Sequence, residues 1–508
     1  MQKNVLDYLD FTAERIPDKI AFKDEENNIS FNILQKQSKS IASYLIDHID
    51  TRRPIIVFNE KNVLTPVCFM SILYSGCFYV PIDTQLPVLR IEQILYTMNA
   101  KIMLTDKKNM DKAKSLNFSG DIVLIEDIIE TKINETRLSE IRQQQIDTDS
   151  IYVIFTSGST GAPKGVVTSH RAVIDYIDVF TEIAMIDETD VMANQAPFDY
   201  DGSIRDVYST LKTGATTYII PRQYFSMPVK LFDSLIKQNV SSLSWTVSAL
   251  IIPVTMNVFS ERIPLSVKRI MFSGSVMPCK YLSVWQKYLP DAMYINHYGP
   301  TECTATSTYY IVPGKVSEDD VLPIGKPFPN TKIILLNEKN EVVPNGEIGE
   351  IYISGTCLAN GYYDVHEKTA EVFIQNPVNP HYPEIVYKTG DLGKFRHDGM
   401  LEYHGRKDFQ VKHMGHRIEL GEIEVISKSM EQVKECCCMY NKPKEQIWLF
   451  FTGNDADSKN ISIYLRERIP GFMIPRKFVK LDVMPLLANG KTDISVLREI
   501  MEQKTNER

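Results

Sequence analysis

The chain has 508 residues, of which 44% are apolar and 24% charged, with 24 glycines and 26 prolines. At roughly 100–200 residues per domain this length predicts two to four units, and the composition excludes collagen-like, coiled-coil and disordered chains. The net charge of −8 provides no global basic field for binding nucleic acid or an anionic membrane.

The N-terminus and the cysteines bear on the compartment. Residues 1–10 carry acidic side chains where a signal peptide needs an apolar stretch, and no run of about 18 apolar residues predicts a membrane-spanning helix. Eight cysteines are too few for a disulfide scaffold. Cys436, Cys437 and Cys438 are adjacent and point in different directions, so we interpret them as buried thiols and not as metal ligands. We expect a cytoplasmic protein.

Short apolar runs alternate with helical patterns through most of the chain. The runs at 55–58, 101–105 and 122–125 predict buried strands, each followed by polar turns and helical periodicity of the kind seen at 231–238. Strands separated by helices predict largely parallel sheets with helices on their faces, which is the α/β class.

From about residue 327 the pattern changes to short, closely spaced strands with Gly and Asn turns, which predicts a smaller β-rich subdomain. The elements predicted from there onward are strands at 332–336, 349–354, 400–403 and 447–452 and helices at 421–430 and 458–468. We therefore predict an N-terminal core over 1–407 and a small α+β C-terminal domain over 408–508.

The segment 152–165 predicts a site for phosphate. An apolar strand leads into Thr-Ser-Gly-Ser-Thr-Gly-Ala-Pro-Lys-Gly. Glycines let backbone N–H groups approach an anion, hydroxyls donate to phosphate oxygens, and Lys164 adds positive charge. The nucleotide P-loop pattern fails, because Lys164 lies between Pro163 and Gly165. A flexible linker would explain the glycines but neither the lysine nor the strand.

This segment resembles the phosphate-binding loop of adenylate-forming enzymes, the family of acyl-CoA synthetases, luciferases and the adenylation domains of nonribosomal peptide synthetases. Further motifs similar to that family's follow in its order. They are Asn-His-Tyr-Gly-Pro-Thr-Glu at 296–302, Tyr-Lys-Thr-Gly-Asp-Leu at 387–392, a hinge motif at 405–412 and 417–422, and Asn-Gly-Lys-Thr-Asp at 489–493. The resemblance spans about residues 10–500 and implies a mobile C-terminal domain.

The resemblance implies attack of a substrate carboxylate on the α-phosphate of ATP with loss of pyrophosphate, a reaction catalysed by positioning and electrostatic stabilisation. ATP and Mg²⁺ are the implied cofactors, with Glu302 holding the metal, Lys491 catalytic and Asp408 at the hinge. Taken singly, each could be a cap, turn or surface residue. The residues implied for ATP binding are Thr156, Ser157, Gly158, Ser159, Thr160, Gly161, Lys164, Asn296, Tyr298, Gly299, Pro300, Thr301, Asp391, Tyr403 and Arg406.

Residues 198–206 bear on which class of substrate the protein activates. Amino-acid-activating members of the family pair an aspartate with the substrate ammonium, and counting back from Thr213 favours Asp201 over Asp199. A buried carboxylate needs a partner, although Asp201 could instead cap the helix beginning near Ser203, a role worth about 1 kcal/mol.

Arg205 lies four residues after Asp201, so on a helical turn the two side chains share a face. Arg205 could neutralise Asp201, meet an anionic or polar substrate such as Asp or Glu, or extend outward to solvent. The resemblance assigns substrate binding to Asp201, Gly202, Arg205, Trp245, Met271, Ser273, His297, Ala305, Thr306 and Lys491.

The chain ends soon after Lys491 and resembles stand-alone D-alanine–carrier-protein ligases. We expect a monomeric amino acid–carrier-protein ligase that delivers to the phosphopantetheine thiol of a separate carrier protein, without nucleic-acid partners or membrane insertion. Arg205 would crowd a pocket for a methyl group, and Ser273 stands where that group has a cysteine. An acyl-CoA synthetase for a non-amino acid and a non-catalytic carrier-binding module stay open as alternatives.

Overall fold

The computed structural model describes residues 2–158, 161–407, 410–453, 455–486 and 492–506. The chain divides into two compact units. The first comprises Met1–Thr84, Leu95–Phe155 and Gly165–Lys407, and the second comprises Gln85–Ile94, Thr156–Lys164 and Asp408–Arg508. The predictions for Ser159, Thr160, Asp408 and Lys491 lie outside the described residues.

Strands and helices alternate through residues 2–407. The strands are β1 Ile20–Lys23, β2 Asn28–Ser30, β3 Pro54–Phe58, β4 Phe78–Pro81, β5 Ile102–Thr105, β6 Asp121–Leu124, β7 Ser150–Thr156, β8 Lys164–Ser169, β9 Val191–Asn194, β10 Thr216–Ile219, β11 Ser242–Thr246, β12 Arg269–Ser273, β13 Met293–Tyr298, β14 Thr308–Ile311, β15 Lys326–Pro327, β16 Thr331–Leu336, β17 Gly349–Gly355, β18 Gly361–Tyr362, β19 Phe373–Gln375, β20 Ile385–Phe395 and β21 Leu401–Arg406. The helices are α1 Leu6–Arg15, α2 Phe31–Leu45, α3 Leu64–Tyr74, α4 Val88–Met98, α5 Met110–Ser115, α6 Ile125–Ile128, α7 Glu135–Gln144, α8 His170–Ile183, α9 Ile204–Thr213, α10 Pro228–Lys237, α11 Val247–Thr255, α12 Cys279–Tyr288 and α13 His366–Val372.

The first unit contains two large sheets and one smaller sheet. Among the described residues, one large sheet has the order β15-β14-β13-β12-β11-β9-β10-β1-β2 and the other has the order β18-β8-β7-β4-β3-β5-β6. In the first of these sheets the neighbouring strands β10, β9, β11, β12 and β13 run parallel. In the second, the neighbouring strands β7, β4, β3 and β5 run parallel. The predicted α/β class is therefore confirmed.

The smaller sheet is antiparallel and corresponds to the β-rich region expected from about residue 327. Its order is β16-β17-β20-β19, with β21 paired to β20. In that last pairing Asp391 lies opposite Arg406, so strand register alone brings two residues of different motifs together.

Local signals in the sequence explain how the helices near the site begin and end. Ser169 accepts a hydrogen bond from the backbone of Ala172 and so caps α8. Helix α9 ends at Gly214, which adopts φ 81°, a left-handed conformation that glycine tolerates best. A short 3₁₀ turn, Asp201–Ser203, leads directly into α9. These signals fix where α8 begins and where α9 begins and ends.

The second unit contains β22 Gln410–His413, β23 His416–Glu419, α14 Leu420–Lys428, β24 Glu435–Asn441, β25 Gln446–Thr452, α15 Ser458–Arg466, β26 Lys477–Lys480 and α16 Ile494–Asn506. On β24, Cys436 and Cys438 pack in one hydrophobic cluster and Cys437 packs in another, because successive strand residues face opposite sides. All eight cysteines are buried free thiols. The interpretation of the cysteine run as buried apolar side chains is confirmed.

No helix in the described part of the chain is long and apolar enough to cross a membrane.

Candidate active site

Tyr298, Asp391 and Arg406 form one buried cluster in the first unit. Tyr298 ends β13, and its hydroxyl donates to Asp391 Oδ2 at 2.6 Å. Arg406 Nη1 donates to Asp391 Oδ1 at 2.8 Å, and its Nη2 donates to the Thr389 carbonyl at 3.0 Å. Burial, and then the charge of Asp391, raises the pKa of Tyr298 well above its usual range, so the phenol stays a hydrogen-bond donor. The ring of Tyr403 lies 6.3 Å from that of Tyr298.

The rest of the 296–301 motif is held by the backbone around it. The Asn296 amide donates to the Pro323 carbonyl at 2.9 Å. A Cβ on Gly299 would lie 2.6 Å from the Thr306 Cα, so a side chain does not fit there. Pro300 precedes the 3₁₀ turn Thr301–Cys303. This close packing fixes the direction of the residues that follow, Thr301 and Glu302.

Glu302 is a fully buried carboxylate in that turn. Tyr362 donates its hydroxyl to Glu302 Oε1 at 2.7 Å, and the Glu302 carbonyl accepts from the backbone of Ala359 at 2.9 Å. A carboxylate oxygen is a ligand that Mg²⁺ prefers. Among the described residues no group of three or more His, Cys, Asp or Glu side chains could hold a metal ion, so Glu302 would act as a single carboxylate ligand. Glu302 fits that role.

The phosphate-loop segment lies in the second unit, where its first residues have partners. The backbone N–H of Gly158 donates to Glu422 Oε2 at 3.1 Å, and the Ser157 hydroxyl donates to the Arg417 carbonyl at 2.7 Å. Glu422 is fully buried and pairs with Arg90 at 2.5 Å. Burial raises the pKa of Glu422, and Arg90 partly offsets this. The Glu422 carboxylate thus accepts a hydrogen bond from an N–H group of the loop that is predicted to bind phosphate. A Cβ on Gly161, at φ 85°, would lie 3.0 Å from the side chain of Val425.

Asp201 is buried in the 3₁₀ turn before α9. Burial raises the pKa of its carboxyl, and the Thr301 hydroxyl and the charge of Arg205 partly offset this rise. The residue that precedes α9 is Ser203, and its hydroxyl donates to the Tyr200 carbonyl at 2.8 Å. Within the described residues Asp201 makes no cap hydrogen bond, so the alternative role as a helix cap is not observed. Burial also raises the pKa of Asp199, to about 7.

Arg205 lies inside the first unit with only 3% of its surface exposed. The alternative in which it extends to solvent is therefore wrong. Its guanidinium is bound by four hydroxyls and, among the described residues, by no carboxylate within 4.0 Å. Nε donates to Tyr176 at 3.0 Å, Nη1 to Ser244 at 3.3 Å and Ser273 at 3.1 Å, and Nη2 to Thr306 at 3.2 Å.

His297 is a second polar residue in this region, and 3% of its surface is exposed. Neither ring nitrogen has a hydrogen-bond partner among the described residues. The rings of Phe180 and Phe328 meet the imidazole edge-on at centroid distances of 5.6 and 6.1 Å. Burial, and then the charge of Arg205, lowers the pKa of His297 well below its usual value. The imidazole is therefore neutral.

The structure does not bring Trp245 to the Arg205 cluster. Its indole N–H donates to the Ala193 carbonyl at 2.9 Å, and its ring packs in a core cluster with Phe272. Ser244 takes that place, because alternate residues of β11 face opposite sides. Ser244 pairs in register with Met271 of β12, and Met271 belongs to the core cluster that contains Tyr176.

Gly202, Ala305 and Thr306, the other described residues predicted for the substrate pocket, are buried. A Cβ on Gly202 would lie 2.8 Å from the Tyr200 ring, and Ala305 adopts φ 66°. Ser244, Tyr176, Tyr362 and Glu422 are contacts that the sequence analysis did not single out. Period-two alternation along the serines of β11 is the signal that could have identified Ser244.

Residues 9–363 match the family of AMP-binding enzymes. Tyrocidine synthase 1 of Brevibacillus parabrevis is 32% identical over 502 residues, which are 98% of this chain and 45% of that protein. The chain thus spans less than half the length of this curated relative. The D-alanine--D-alanyl carrier protein ligase of Listeria monocytogenes serotype 4b is 30% identical over 514 residues, covering 98% of this chain and 99% of the ligase.

The fold also matches a solved structure along its whole length. NpsA-ThdA, an artificially fused adenylation–PCP di-domain protein from Klebsiella oxytoca, superposes with a TM-score of 0.80 over 99% of this chain and 97% of its own. At 21% sequence identity this likeness concerns the fold alone.

Proposed function

The chain belongs to the AMP-binding enzyme family, and we propose that it activates an amino acid as aminoacyl-AMP and transfers it to the phosphopantetheine thiol of a separate carrier protein. In the first step a carboxylate oxygen of the amino acid attacks the α-phosphorus of ATP, and the bond to the β-phosphate breaks to release pyrophosphate. In the second step the thiol sulfur attacks the activated carbonyl carbon, and AMP leaves.

The observation that carries this proposal is the cluster of Tyr298 on β13, Asp391 on β20 and Arg406 on β21 in the first unit. Asp391 has one oxygen bound by Tyr298 and the other by Arg406, so its position is fixed before a ligand arrives. We assign Asp391 to the ribose hydroxyls, with Arg406 beside it, and the Tyr298 ring to the adenine, with Tyr403 nearby. Asn296, Gly299 and Pro300 shape the backbone around that ring.

The phosphates are assigned to the loop 156–161 and to Lys164, with Thr301 at the α-phosphate. Binding there would replace the Glu422 carboxylate that accepts from Gly158, since both ligands are anions and compete for the same N–H group. Glu302 would hold Mg²⁺, which supplies positive charge to the phosphate oxygens. The Tyr362 hydroxyl keeps the Glu302 carboxylate in one orientation.

Asp201 is assigned to the substrate ammonium, because a buried carboxylate gains most from a cationic partner. Lys491 is assigned to the α-phosphate and the substrate carboxylate, where positive charge stabilises the transition state. The hinge is assigned to Asp408, about which the C-terminal domain would turn between the two steps. The printed name of the Listeria ligase supports a carrier protein as the acceptor and D-alanine as a substrate to test.

Pyrophosphate–ATP exchange with purified protein tests this function. The panel contains L- and D-amino acids, including both alanines and the acidic residues, together with simple fatty and dicarboxylic acids. Exchange with one amino acid supports the proposal, and transfer of that residue to pantetheine supports the second step. Exchange only with acids that lack an amine would point to an acyl-CoA synthetase and contradict the role of Asp201.

Lys491→Ala separates an enzyme from a non-catalytic module that only binds a carrier. We expect exchange to fall by about a thousandfold or more, because a charge at the transition state is lost. Lys459→Ala, an exposed lysine on α15, is the matched control and should leave exchange unchanged. Unchanged exchange in Lys491→Ala would contradict the assignment of that lysine.

A further inference from the structure

Arg205 lies in a cluster that is rich in hydrogen-bond donors and poor in acceptors. Four of its N–H groups are accepted by hydroxyl oxygens of Tyr176, Ser244, Ser273 and Thr306. One N–H on Nη2 has no partner among the described residues. The hydroxyl hydrogens of Ser244 and Ser273 likewise make no hydrogen bond within the described part of the chain. Each serine therefore still has a donor to offer.

The hydrogen-bond partners of the buried guanidinium are all neutral hydroxyl oxygens, so it has no counter-ion in direct contact among the described residues. Removing a charged group from water is expensive unless an opposite charge compensates it. Asp201, four residues earlier, makes no ion pair with Arg205 within 4.0 Å among the described residues, and its charge acts on the guanidinium only through space. If Asp201 binds the substrate ammonium, its charge is neutralised there and the guanidinium needs another anion.

His297 provides an independent indication that a polar ligand belongs here. Its two nitrogens are buried and have no hydrogen-bond partner among the described residues, and leaving a buried polar group unsatisfied is unfavourable. The neutral ring offers one N–H donor and one acceptor. Tyr176, which accepts from Arg205 Nε, packs its ring against Phe180 and Phe328 at 5.7 and 5.8 Å, and these two rings also contact the His297 imidazole. Arg205 and His297 therefore border the same region of the first unit.

We propose that the amino acid activated by this protein carries a carboxylate in its side chain, and that Arg205 receives this carboxylate with Ser244, Ser273 and His297 beside it. This inference rests on the proposed function and specifies its substrate class. Asp201 with the ammonium and Arg205 with the side-chain carboxylate then form two neutral pairs. Alanine would leave the guanidinium unpaired, and an amide would replace a charged hydrogen bond with a weaker one.

The test compares each acidic amino acid with its amide of nearly equal shape. Pyrophosphate exchange is measured with aspartate, asparagine, glutamate and glutamine, in both chiralities, and with both alanines. We expect kcat/KM for one acid to exceed that for its amide by about tenfold to a hundredfold, the ratio typical of a hydrogen bond to a charged group. A wild-type preference for alanine or for an amide overturns the inference and leaves the amino-acid activity in place.

Arg205→Gln should reduce the ratio of kcat/KM for the acid to kcat/KM for its amide to about one, mainly because KM for the acid rises. Arg269→Gln is the matched control, since Arg269 pairs with Asp190 and not with this cluster. We expect this variant to lose stability and to keep the wild-type ratio. An unchanged ratio in Arg205→Gln overturns the inference. If that variant fails to fold, the wild-type ratio decides by itself.

Two further outcomes separate this inference from the function on which it rests. Exchange with succinate or glutarate, but with no amino acid, would support Arg205 as the anion site and reject the role of Asp201. Exchange with no amino acid and with no dicarboxylic acid would reject both proposals.

Discussion

The Tyr298 hydroxyl lies 2.6 Å from the Asp391 carboxylate, although 93 positions separate the two residues in the chain. The contact joins the end of β13, in the nine-stranded sheet, to β20 of the small antiparallel sheet. Arg406 holds the second carboxylate oxygen at 2.8 Å. Both oxygens of Asp391 are therefore oriented by the protein itself.

Tyr298→Phe leaves one buried oxygen of Asp391 without its donor. We expect the free energy of unfolding to fall by about 1–2 kcal/mol and KM for ATP to rise about tenfold, with a smaller change in kcat. Urea denaturation and exchange kinetics at varied ATP measure the two effects. Tyr310→Phe, on β14 and only partly buried, serves as the control. A KM for ATP equal to the wild-type value would argue against Asp391 as the ribose ligand.

Glu302→Gln removes the charge proposed to hold Mg²⁺, while keeping the shape of the side chain. We expect the Mg²⁺ concentration that gives half-maximal exchange to rise by at least about tenfold. Tyr362→Phe should raise it less, because the carboxylate stays but loses its orienting hydrogen bond. Tyr363→Phe, one residue away, is the control. An identical Mg²⁺ titration in wild type and Glu302→Gln would exclude Glu302 as the metal ligand.

His170 makes the stability of the first unit depend on pH. Its nitrogens lie 3.4 Å from the Val5 backbone nitrogen and 3.4 Å from the Asn4 amide. Burial, and then Arg142, lowers its pKa to about 3, from an ordinary value of about 6.5. Between these values the unfolded chain binds a proton that the folded chain does not, so stability is complete above pH 6.5 and falls as pH decreases toward 3.

From pH 7 to pH 5 this linkage predicts a loss of about 2 kcal/mol. Urea denaturation at the two pH values measures the loss. His170→Gln, which does not titrate, should lose about 2 kcal/mol less over the same interval than wild type. Equal losses in the two proteins would show that His170 is not the group responsible.

Ser244→Ala and Trp245→Phe compare two adjacent residues of β11 that face opposite sides. We expect Ser244→Ala to raise KM for the amino acid several-fold with little loss of stability, because one hydroxyl partner of Arg205 is removed. Trp245→Phe should lower stability by about 1–3 kcal/mol and leave KM unchanged, because it removes core volume and the hydrogen bond to Ala193. The reverse pattern would place Trp245, and not Ser244, in the pocket.

Apolar runs and turn residues are enough to locate the eight strands predicted from the sequence, out of the 26 strands in the described residues. The runs at 55–58 and 447–452 lie within β3 and β25, because a buried strand needs apolar residues on both faces. The ends are less accurate, and the helix predicted over 458–468 is observed as Ser458–Arg466. Its last turn lacks a glycine stop that the sequence could have revealed.

The orientation of individual pocket residues could not be predicted in the same way. Every residue of β11 is buried, so burial does not distinguish its two faces. Only the alternation of polar and apolar residues does, and a shift of one residue exchanges Ser244 for Trp245. Arg205 presents a different difficulty. A long side chain in a helix can reach solvent, a nearby carboxylate or a ligand, and the hydroxyls that decide between these come from four distant segments.

All eight cysteines of this protein are buried, and burial raises the pKa of the Cys436 and Cys437 thiols to about 12. A thiol reagent reacts with the thiolate and needs access to it. In a mixture of the folded protein with pantetheine, we therefore expect such a reagent to titrate the pantetheine thiol alone. Because the reagent consumes the thiol that it detects, it is added to samples withdrawn at intervals, and the fall in titratable thiol then measures thioester formation without replacing any cysteine.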